Sequence, residues 1–274
     1  MRITVLVENT EGMPGCGTEH GLSLYIETKE HRLLFDTGAS GLMLENAAKL
    51  GVDPGLVEMV ILSHGHYDHG GGILPFAERY PGIPVWVQET VFGEYLSESG
   101  PEGLHDIGLD PRIRELEQLR TAEDFCTVAE GLTLFSGIGL GHPLPPADAA
   151  LKERTEKGVT ADIFRHEQCL VVREGGRSVL FSGCAHHGMP NILDRYRELF
   201  GDEPDAVVSG LHTRKKSGYT DEDLRYIAET AEELKKTRSV YYTGHCTGEI
   251  PYEIMRKILG GQIRYLHTGD TLML

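Results

Sequence analysis

Several residue types and patterns are scarce in this sequence of 274 residues. It has one tryptophan and 7% aromatic residues, within an otherwise ordinary globular composition of 40% hydrophobic and 25% charged residues. No window approaches the ~20 consecutive apolar residues that a membrane span needs. The amino-terminal segment also lacks the long apolar core of a signal peptide. The sequence therefore predicts a cytoplasmic protein with no membrane partner.

Cysteines are few, odd in number and never arranged as a C-x-x-C pair. The five positions are Cys16, Cys126, Cys169, Cys184 and Cys246. This pattern argues against a disulfide framework and against a zinc knuckle. We expect reduced thiols that serve as small buried apolar side chains, although Cys184 and Cys246 each lie beside a histidine.

Basic residues are outnumbered, with 26 Lys and Arg against 42 Asp and Glu, which gives a formal net charge of −16. A negative field repels phosphate backbones, so we expect a small-molecule substrate and no nucleic-acid partner. The chain also lacks a G-x-S-x-G elbow, a P-loop and a G-x-G-x-x-G fingerprint. No protein nucleophile is therefore expected, and the oligomeric state is left open.

Short apolar runs alternate twice with helix-period segments. Strands are predicted at 2–8, 22–28, 31–37, 57–63, 84–88, 132–136, 168–174, 178–183, 205–210, 239–244 and 263–269, and helices at 40–51, 71–81, 189–201, 220–237 and 251–261. This order predicts an α/β fold in which two sheets pack together with helices outside. We expect one domain, residues 1–274, with halves at about 1–140 and 141–274. The stretches 92–113 and 141–168 are rich in Gly, Pro and charge, and we expect long loops that wall a binding site.

Metal-binding side chains are concentrated in "ILSHGHYDHGGG", residues 61–72. Residues two apart in an extended segment point the same way, so His64 and His66 can reach one ion. After the chain bends, Asp68 and His69 can reach a second ion. Imidazole with carboxylate suits zinc, manganese or iron better than calcium or magnesium. The stretch therefore predicts a metal site, the alternative being a polar turn with solvated histidines.

The same motif resembles a known family. "HGHYDHGGG" is similar to the H-x-H-x-D-H signature of the metallo-β-lactamase superfamily, and it follows an "FDTG" turn, as in that family. "EHGLSLYIE", "SGCAHHGMPNIL" and "TGHCTG" resemble a narrower branch, which contains the archaeal dihydropterin methyl-aminobenzene ribofuranosyl phosphate synthases and bacterial relatives described as metal-dependent hydrolases. The resemblance implies an αββα sandwich of two mixed sheets flanked by helices, with metals at the edge between the sheets.

The resemblance also implies two divalent ions and two further ligands. His186 and His245 each follow a predicted strand and match metal positions of the family. The implied ligand sets are His64, His66 and His186 for one ion, and Asp68, His69 and His245 for the other. Zinc is the expected metal, with manganese or iron as alternatives.

Four neighbouring residues have less direct roles. By resemblance, Asp36 supports the metal loop without binding metal. Cys184 stands where many family members have a bridging aspartate, and it is either a soft ligand or a buried thiol. His212 follows another predicted strand and is either a surface residue or a group that orients ligands or faces the substrate. His187 is expected to be exposed.

These features point to a metal-dependent hydrolase with Asp68, Asp36 and His212 as candidate catalytic residues. The ions would lower the pKa of water toward neutrality and present hydroxide to a phosphorus or carbonyl carbon, with Asp68 steering the water. Arg214, Lys215 and Lys216 form a basic cluster that can receive a phosphate. We therefore expect a small phosphorylated metabolite, a phosphoester, as substrate.

Three alternatives stay open at this point. The first is a pterin-type transferase that displaces diphosphate, with stacking surfaces from Tyr67, Trp86, Phe92, Tyr95 and Tyr219. The second is an iron redox or oxygen-reducing protein, like the flavodiiron relatives of this fold. It is disfavoured because the chain has no room for a flavin domain and lacks the bridging carboxylate. The third is a non-catalytic metal-binding or effector-sensing module.

Overall fold

Apolar strands and helices alternate along the chain in the structure, a computed structural model that describes residues 1–99 and 103–274. Within these residues the strands are β1 (Arg2–Val7), β2 (Ser23–Glu27), β3 (Arg32–Phe35), β4 (Met59–Ile61), β5 (Val85–Gln88), β6 (Glu94–Ser97), β7 (His105–Asp106), β8 (Leu119–Ala122), β9 (Phe125–Ala129), β10 (Leu132–Phe135), β11 (Leu151–Thr155), β12 (Gly158–Ala161), β13 (Cys169–Glu174), β14 (Arg177–Phe181), β15 (Ala206–Val208), β16 (Val240–Thr243), β17 (Ile263–Tyr265) and β18 (Thr271–Met273). The helices are α1 (Leu42–Lys49), α2 (Tyr67–Gly70), α3 (Ile73–Arg79), α4 (Met189–Phe200), α5 (Asp221–Lys235) and α6 (Glu249–Leu259).

Two mixed sheets form the framework of the described chain. Their strand orders are β18-β1-β2-β3-β4-β5-β8 and β17-β16-β15-β14-β13-β10-β9. The sheets pack face to face, since Ile3, Leu24 and Phe35 of the first share one buried cluster with Leu134 and Phe181 of the second. The central strands are buried on both faces, which explains why their sequences are almost continuously apolar.

Helices cover the outer face of each sheet. Met43 of α1 and Phe76 of α3 pack on the first sheet, while Ile192 of α4, Ile227 of α5 and Met255 of α6 pack on the second. The layers are therefore helix, sheet, sheet and helix, which confirms the predicted αββα sandwich. Among the described residues, no helix combines the length and apolar character that crossing a bilayer requires.

The chain passes from one sheet to the other between β8 and β9. Neither strand was expected from the sequence, and nor was β18, which returns the carboxyl terminus to the first sheet beside β1. These strands are short and partly exposed, so they lack the apolar runs that mark the central strands. The single domain with halves at about residue 140 stays a prediction.

The expectation of long loops at 92–113 and 141–168 is wrong in part. These stretches contribute β6, β7, β11 and β12, which form a small antiparallel sheet of order β12-β11-β6-β7. Residues 100–102 of the first stretch lie outside the described chain. β11 has the sequence LKERT, with three charged residues of five, and it pairs with the distant β6, so its sequence resembles that of a loop. The small sheet stands next to the strand ends that carry the candidate site.

Candidate metal centre

The candidate ligands come together at one edge of the sandwich. β14, β15 and β16 are parallel neighbours, so their carboxyl ends meet at the same edge of the second sheet. His186, His212 and His245 follow these three strand ends in turn. The turn after β4 of the first sheet brings the motif of residues 61–72 to the same edge. The topology therefore assembles residues that are far apart in the sequence.

One group contains His64, His66 and His186, all of them buried. The Nε2 atoms of His64 and His186 are 3.3 Å apart. His66 has its ring centroid 4.9 Å from that of His186. The Nε2 atom of His66 is buried and has no hydrogen-bond partner. Such orphaned buried nitrogens are rare in folded proteins and require an explanation.

The other group contains Asp68, His69 and His245. The Nε2 atoms of His69 and His245 are 3.1 Å apart. The Oδ2 atom of Asp68 lies 3.3 Å from Nε2 of His245 and 3.8 Å from Nε2 of His69. All three residues are at least nine-tenths buried. Both sets of residues grouped from the sequence are thus spatial clusters, while their role as ligands stays a proposal.

Hydrogen bonds to residues around the two groups determine which ring nitrogen carries the proton in four of these histidines. The partners of their Nδ1 atoms are Ser63 Oγ for His64 (2.8 Å), Asp36 Oδ2 for His69 (2.7 Å), Asp148 Oδ1 for His186 (2.8 Å) and Asn9 Oδ1 for His245 (2.8 Å). Ser63 donates its own hydroxyl proton to Asp36, so it accepts from His64. Each Nδ1–H therefore donates outward, which leaves the Nε2 lone pair free to bind a metal.

The Nε2 lone pairs of His64 and His186, whose pKa values are both lowered by burial, face each other across 3.3 Å. Without a cation between them these lone pairs would repel. Imidazole nitrogens and a carboxylate are also the donor set that zinc, manganese and iron prefer. The residues of both groups therefore fit divalent metal ions.

Burial and neighbouring charges affect the pKa values of the two groups differently. Burial lowers the pKa of His64 well below its ordinary value and that of His66 to about 3, so both rings are neutral. Burial also opposes protonation of His69, but the charges of Asp36 and Asp68 outweigh it and raise the pKa to about 9. Metal binding at His69 must therefore displace a proton, which makes binding pH-dependent.

A third cluster, His66, Asp162 and His166, has metal-like spacing but a different chemistry. The Nδ1 atom of His166 accepts a hydrogen bond from the backbone N–H of Gly65 at 2.9 Å. The proton of the neutral ring is therefore on Nε2, 3.1 Å from Oδ2 of Asp162. No lone pair of His166 is left for a metal, so this histidine fixes the loop instead.

Backbone strain is concentrated at the same place. Five non-glycine residues of the described chain have a positive φ, namely Asp36 (57°), Phe164 (55°), Ala185 (54°), His212 (43°) and His245 (51°). Such conformations cost about 1–3 kcal/mol each and persist where tertiary contacts impose them. At Asp36, the turn lets one carboxylate accept from both the backbone and hydroxyl of Ser63 and from His69. Asp36 thus contacts both Ser63 and His69, while the supporting role that the resemblance implied for it stays a prediction.

His212 lies within the cluster, and its partner Asp148 is a residue that sequence reasoning missed. The Nδ1 atom of His212 is 2.6 Å from Oδ1 of Asp148, and its ring centroid is 4.3 Å from that of His186. Burial lowers the pKa of His212, but the Asp148 charge outweighs this and raises it to about 9. Asp148 lies in a 3-10 turn (Pro146–Ala150) inside the expected loop, where no sequence signal distinguished it.

Two other residues from the "SGCAHHG" segment have defined surroundings. His187 is only 7% exposed, and its Nδ1 lies 2.7 Å from Oε2 of Glu167, so the expectation that it is exposed was wrong. Its hydrogen-bond acceptor, Glu167, lies 20 residues away in the sequence. Cys184 is buried with its Sγ 3.2 Å from Nε2 of His69, a position compatible with either of the two roles considered for it.

A cavity of about 570 Å³ opens onto the two groups. Arg214 and Lys216 line its wall, together with His20 and Glu98, which sequence reasoning did not identify as site residues. Lys215 also lines it, but its Nζ lies 2.8 Å from both carboxylate oxygens of Asp223, so its charge is already paired. In the described part of the chain, none of the five aromatic residues considered for pterin stacking lines this cavity, which weakens that argument: Tyr67, Trp86, Phe92, Tyr95 and Tyr219.

Comparison with known proteins identifies the family of this arrangement. A sequence profile of the metallo-beta-lactamase superfamily matches residues 16–245. The chain belongs to this superfamily. A relative from Methanocaldococcus jannaschii, a 7,8-dihydropterin-6-methyl-4-(beta-D-ribofuranosyl)-aminobenzene-5'-phosphate synthase, is 26% identical over 93% of this chain and 90% of its own length.

Solved structures agree with this assignment. A metal-dependent hydrolase of the beta-lactamase superfamily superposes with a TM-score of 0.82 at 30% identity, covering 100% of this chain and 99% of its own. A diphosphatase of the PhnP family, at 17% identity and a TM-score of 0.54, covers 100% of this chain and 97% of its own and shares the fold. This metallo-beta-lactamase superfamily member therefore belongs to a metal-dependent enzyme family with both hydrolase and synthase relatives.

Proposed function

We propose that the protein is a cytoplasmic metal-dependent hydrolase of a small phosphorylated metabolite and that it cleaves a phosphoester. His64, His66 and His186 would hold one divalent ion, and Asp68, His69 and His245 a second. Zinc is the preferred metal on the chemistry of these donors. Ions bound there supply Lewis acidity, which lowers the pKa of coordinated water and polarises an acceptor oxygen.

The observation that carries this proposal is the convergence of imidazole lone pairs at the floor of a cavity with cations in its wall. Four histidines are held with Nε2 toward one another by outer acceptors. Arg214 and Lys216 line the same cavity. A guanidinium and an ammonium beside a metal centre match the charge of a phosphoryl group. The net charge of −16 disfavours a long polyanion while leaving this local site available.

Other side chains of the site have supporting roles in the proposed reaction. Asp36 orients His69 and the motif that precedes it through Ser63. Asp68 presents its carboxylate at the cavity and can orient an attacking water. His212 has Nδ1 2.6 Å from Oδ1 of Asp148, an ion-pair contact without hydrogen-bond geometry, and its protonated ring would supply a proton to the leaving group. Its raised pKa keeps that proton in place at neutral pH.

A pterin-type transferase that displaces diphosphate is the second candidate. The synthase from Methanocaldococcus jannaschii, similar along 93% of this chain, is the observation that favours it. The proposed roles of the ions and cavity cations would apply equally to a diphosphate leaving group. A transferase needs an arylamine-type acceptor, and in its presence diphosphate release should accelerate. A hydrolase releases product without one.

The test compares kcat/KM of the metal-loaded protein for a phosphodiester, a phosphomonoester, a pterin diphosphate, a lactone and a β-lactam. Lys216→Ala is then measured on the best substrate, with Lys257→Ala as a control because Lys257 is an exposed lysine outside the cavity. We expect a phosphoester to be preferred, with a loss for Lys216→Ala of about 5- to 10-fold from one exposed charge contact. Preference for the lactone with no effect of Lys216→Ala would refute phosphoester hydrolysis.

A further inference from the structure

His20 lies at the mouth of the cavity and has no role in the reaction described so far. Its side chain is 48% exposed, and its Nε2 is 3.4 Å from Oδ2 of Asp68. It also has its ring centroid 4.9 Å from that of His245. From their spacing alone, His20, Asp68 and His245 could form a further metal-binding group. The hydrogen bonds around the ring indicate a different role.

Asn9 determines the proton position on His20, because its own amide orientation is fixed. Its Oδ1 faces the backbone N–H of Gly21 at 3.3 Å and Nδ1 of His245 at 2.8 Å. Its Nδ2 donates to the carbonyl oxygen of His245 at 3.3 Å. The remaining Nδ2 contact, at 3.3 Å, is with Nδ1 of His20. That nitrogen of His20 therefore faces a donor and must itself accept.

Arg214 also requires Nδ1 of His20 to accept a hydrogen bond. Its Nη1 lies 3.4 Å from Nδ1 of His20, and a guanidinium can only donate. With two donors against Nδ1, the neutral ring of His20 carries its proton on Nε2. This is the opposite tautomer to that of the four histidines in the proposed ligand sets. His20 thus carries an N–H, 3.4 Å from Oδ2 of Asp68 at the edge of the cavity, where the ligands present lone pairs.

Arg214 is exposed, and its backbone and aliphatic stem have defined contacts. Its backbone N–H donates to the carbonyl oxygen of Cys246 at 2.9 Å. A Cβ at Gly248 would come within 3.1 Å of Cβ and Cγ of Arg214, so glycine leaves room for the aliphatic stem to lie against the turn after β16. The guanidinium is thereby directed to His20 at the cavity wall.

We propose that His20 and Arg214 form a donor pair that binds an anionic oxygen group of the substrate on the Asp68 side of the cavity. His20 contributes Nε2–H, and Arg214 contributes the guanidinium N–H groups that do not face His20. The inference rests on the proposed function in taking a phosphoryl group as the anion. His20 is then a substrate-binding residue and not a metal ligand.

The donor pair is tested with inorganic phosphate as the probe and the metal-loaded protein as the sample. Isothermal titration calorimetry gives the Kd for phosphate, and metal content per chain is measured on the same samples. His20→Ala removes the donor, whereas His20→Gln offers an amide N–H in its place. Arg177→Ala is the control, since Arg177 is exposed at the opposite end of β14.

We expect His20→Ala and Arg214→Ala each to weaken phosphate binding about 10-fold, equivalent to ~1.4 kcal/mol, with unchanged metal content. His20→Gln should stay within about 3-fold of the wild type. The double variant should lose less than the product of the single losses, because the two side chains are in contact. Wild-type affinity in His20→Ala, a lowered metal content in it, or no phosphate binding by the wild type would each overturn the proposal.

Failure of the proposed phosphoester hydrolysis would give different results from failure of the donor pair. If the wild type binds phosphate through His20 and yet hydrolyses no phosphoester, the donor pair stands and phosphoester hydrolysis falls. If phosphoesters are hydrolysed while His20→Ala binds phosphate normally, the function stands and the donor pair falls. The calorimetric and kinetic measurements therefore separate the two claims.

Discussion

Replacing His66 with alanine should reduce activity far more than stability. The side chain is 5% exposed and its Nε2 has no partner in the protein. Loss of the buried ring costs on the order of 2 kcal/mol in packing. Removal of an unpaired buried nitrogen relieves a desolvation cost of about 1–3 kcal/mol. The two effects nearly cancel, so the free energy of unfolding of the metal-free protein should change by less than ~1 kcal/mol.

Turnover should respond much more strongly. Removing residues that only orient metal ligands already costs about 10- to 100-fold in metal affinity or activity, so losing one of three ligands from an ion should cost at least ~100-fold in kcat. The assay is steady-state hydrolysis of the best phosphoester by protein loaded with metal and then freed of excess ions. Full turnover by His66→Ala under these conditions would refute the proposed ligand set.

His166→Ala is the matched comparison because it removes the same buried ring from the same neighbourhood. Here the substitution leaves the Gly65 N–H and the Asp162 carboxylate without the contacts described above. Each loss costs about 1–3 kcal/mol and the lost ring packing about 2 kcal/mol, so unfolding in urea with chelator present should show a destabilisation of about 6 kcal/mol. The pair of variants should thus show opposite patterns. Equal destabilisation by both would contradict the distinction between an orphaned and a satisfied histidine.

Three further predictions concern the metals, Cys184 and pH. Chelation should abolish turnover and lower Tm, and zinc should restore both. Ions that bind only the folded state stabilise it by about 2.7 kcal/mol when their concentration is 100 times Kd. An unchanged Tm would contradict binding in the buried groups. In cobalt-loaded protein, Cys184→Ser decides between the two roles of Cys184, whose Sγ lies 3.2 Å from the His69 nitrogen. Loss of a near-ultraviolet sulfur-to-cobalt absorption band would identify a ligand, and an unaltered spectrum would leave Cys184 as a buried thiol. The pKa of His212 is raised from 6.5 to about 9, so the stability that it contributes belongs to the low-pH side and is lost as pH rises through about 9. In metal-free protein the unfolding free energy lost in His212→Gln should therefore be larger at pH 7 than at pH 10, and equal losses would show that the Asp148 contact does not hold the proton.

Much of the framework could be predicted because its signals are local. The central strands have nearly continuous apolar runs, and α5 begins with a capping box at Thr220 and Asp223. The strands β8, β9 and β18 were missed because each is short and partly exposed. The small sheet was missed because the charged residues of β11 resemble loop composition, and its pairing with β6 depends on contacts across more than 50 residues.

The candidate ligands could be predicted because four of them occupy one short motif and the others follow strands. Their supporting residues could not, since Asn9, Asp148 and Glu167 approach the histidines from distant segments. A lone asparagine or aspartate in sequence carries no sign of the ring nitrogen that it will contact. The tautomer of His20 depends on three such segments and becomes visible only when the fold is known.

The most direct test of the account is an anomalous difference map from crystals of the zinc-loaded protein, recorded on either side of the zinc absorption edge. We expect one peak among the Nε2 atoms of His64, His66 and His186, and a second among Asp68, His69 and His245, each ~2.0–2.2 Å from its ligands. No peak should have His20 as a ligand. Zinc absent from both groups, or bound only elsewhere on the protein, would contradict the proposed metal centre.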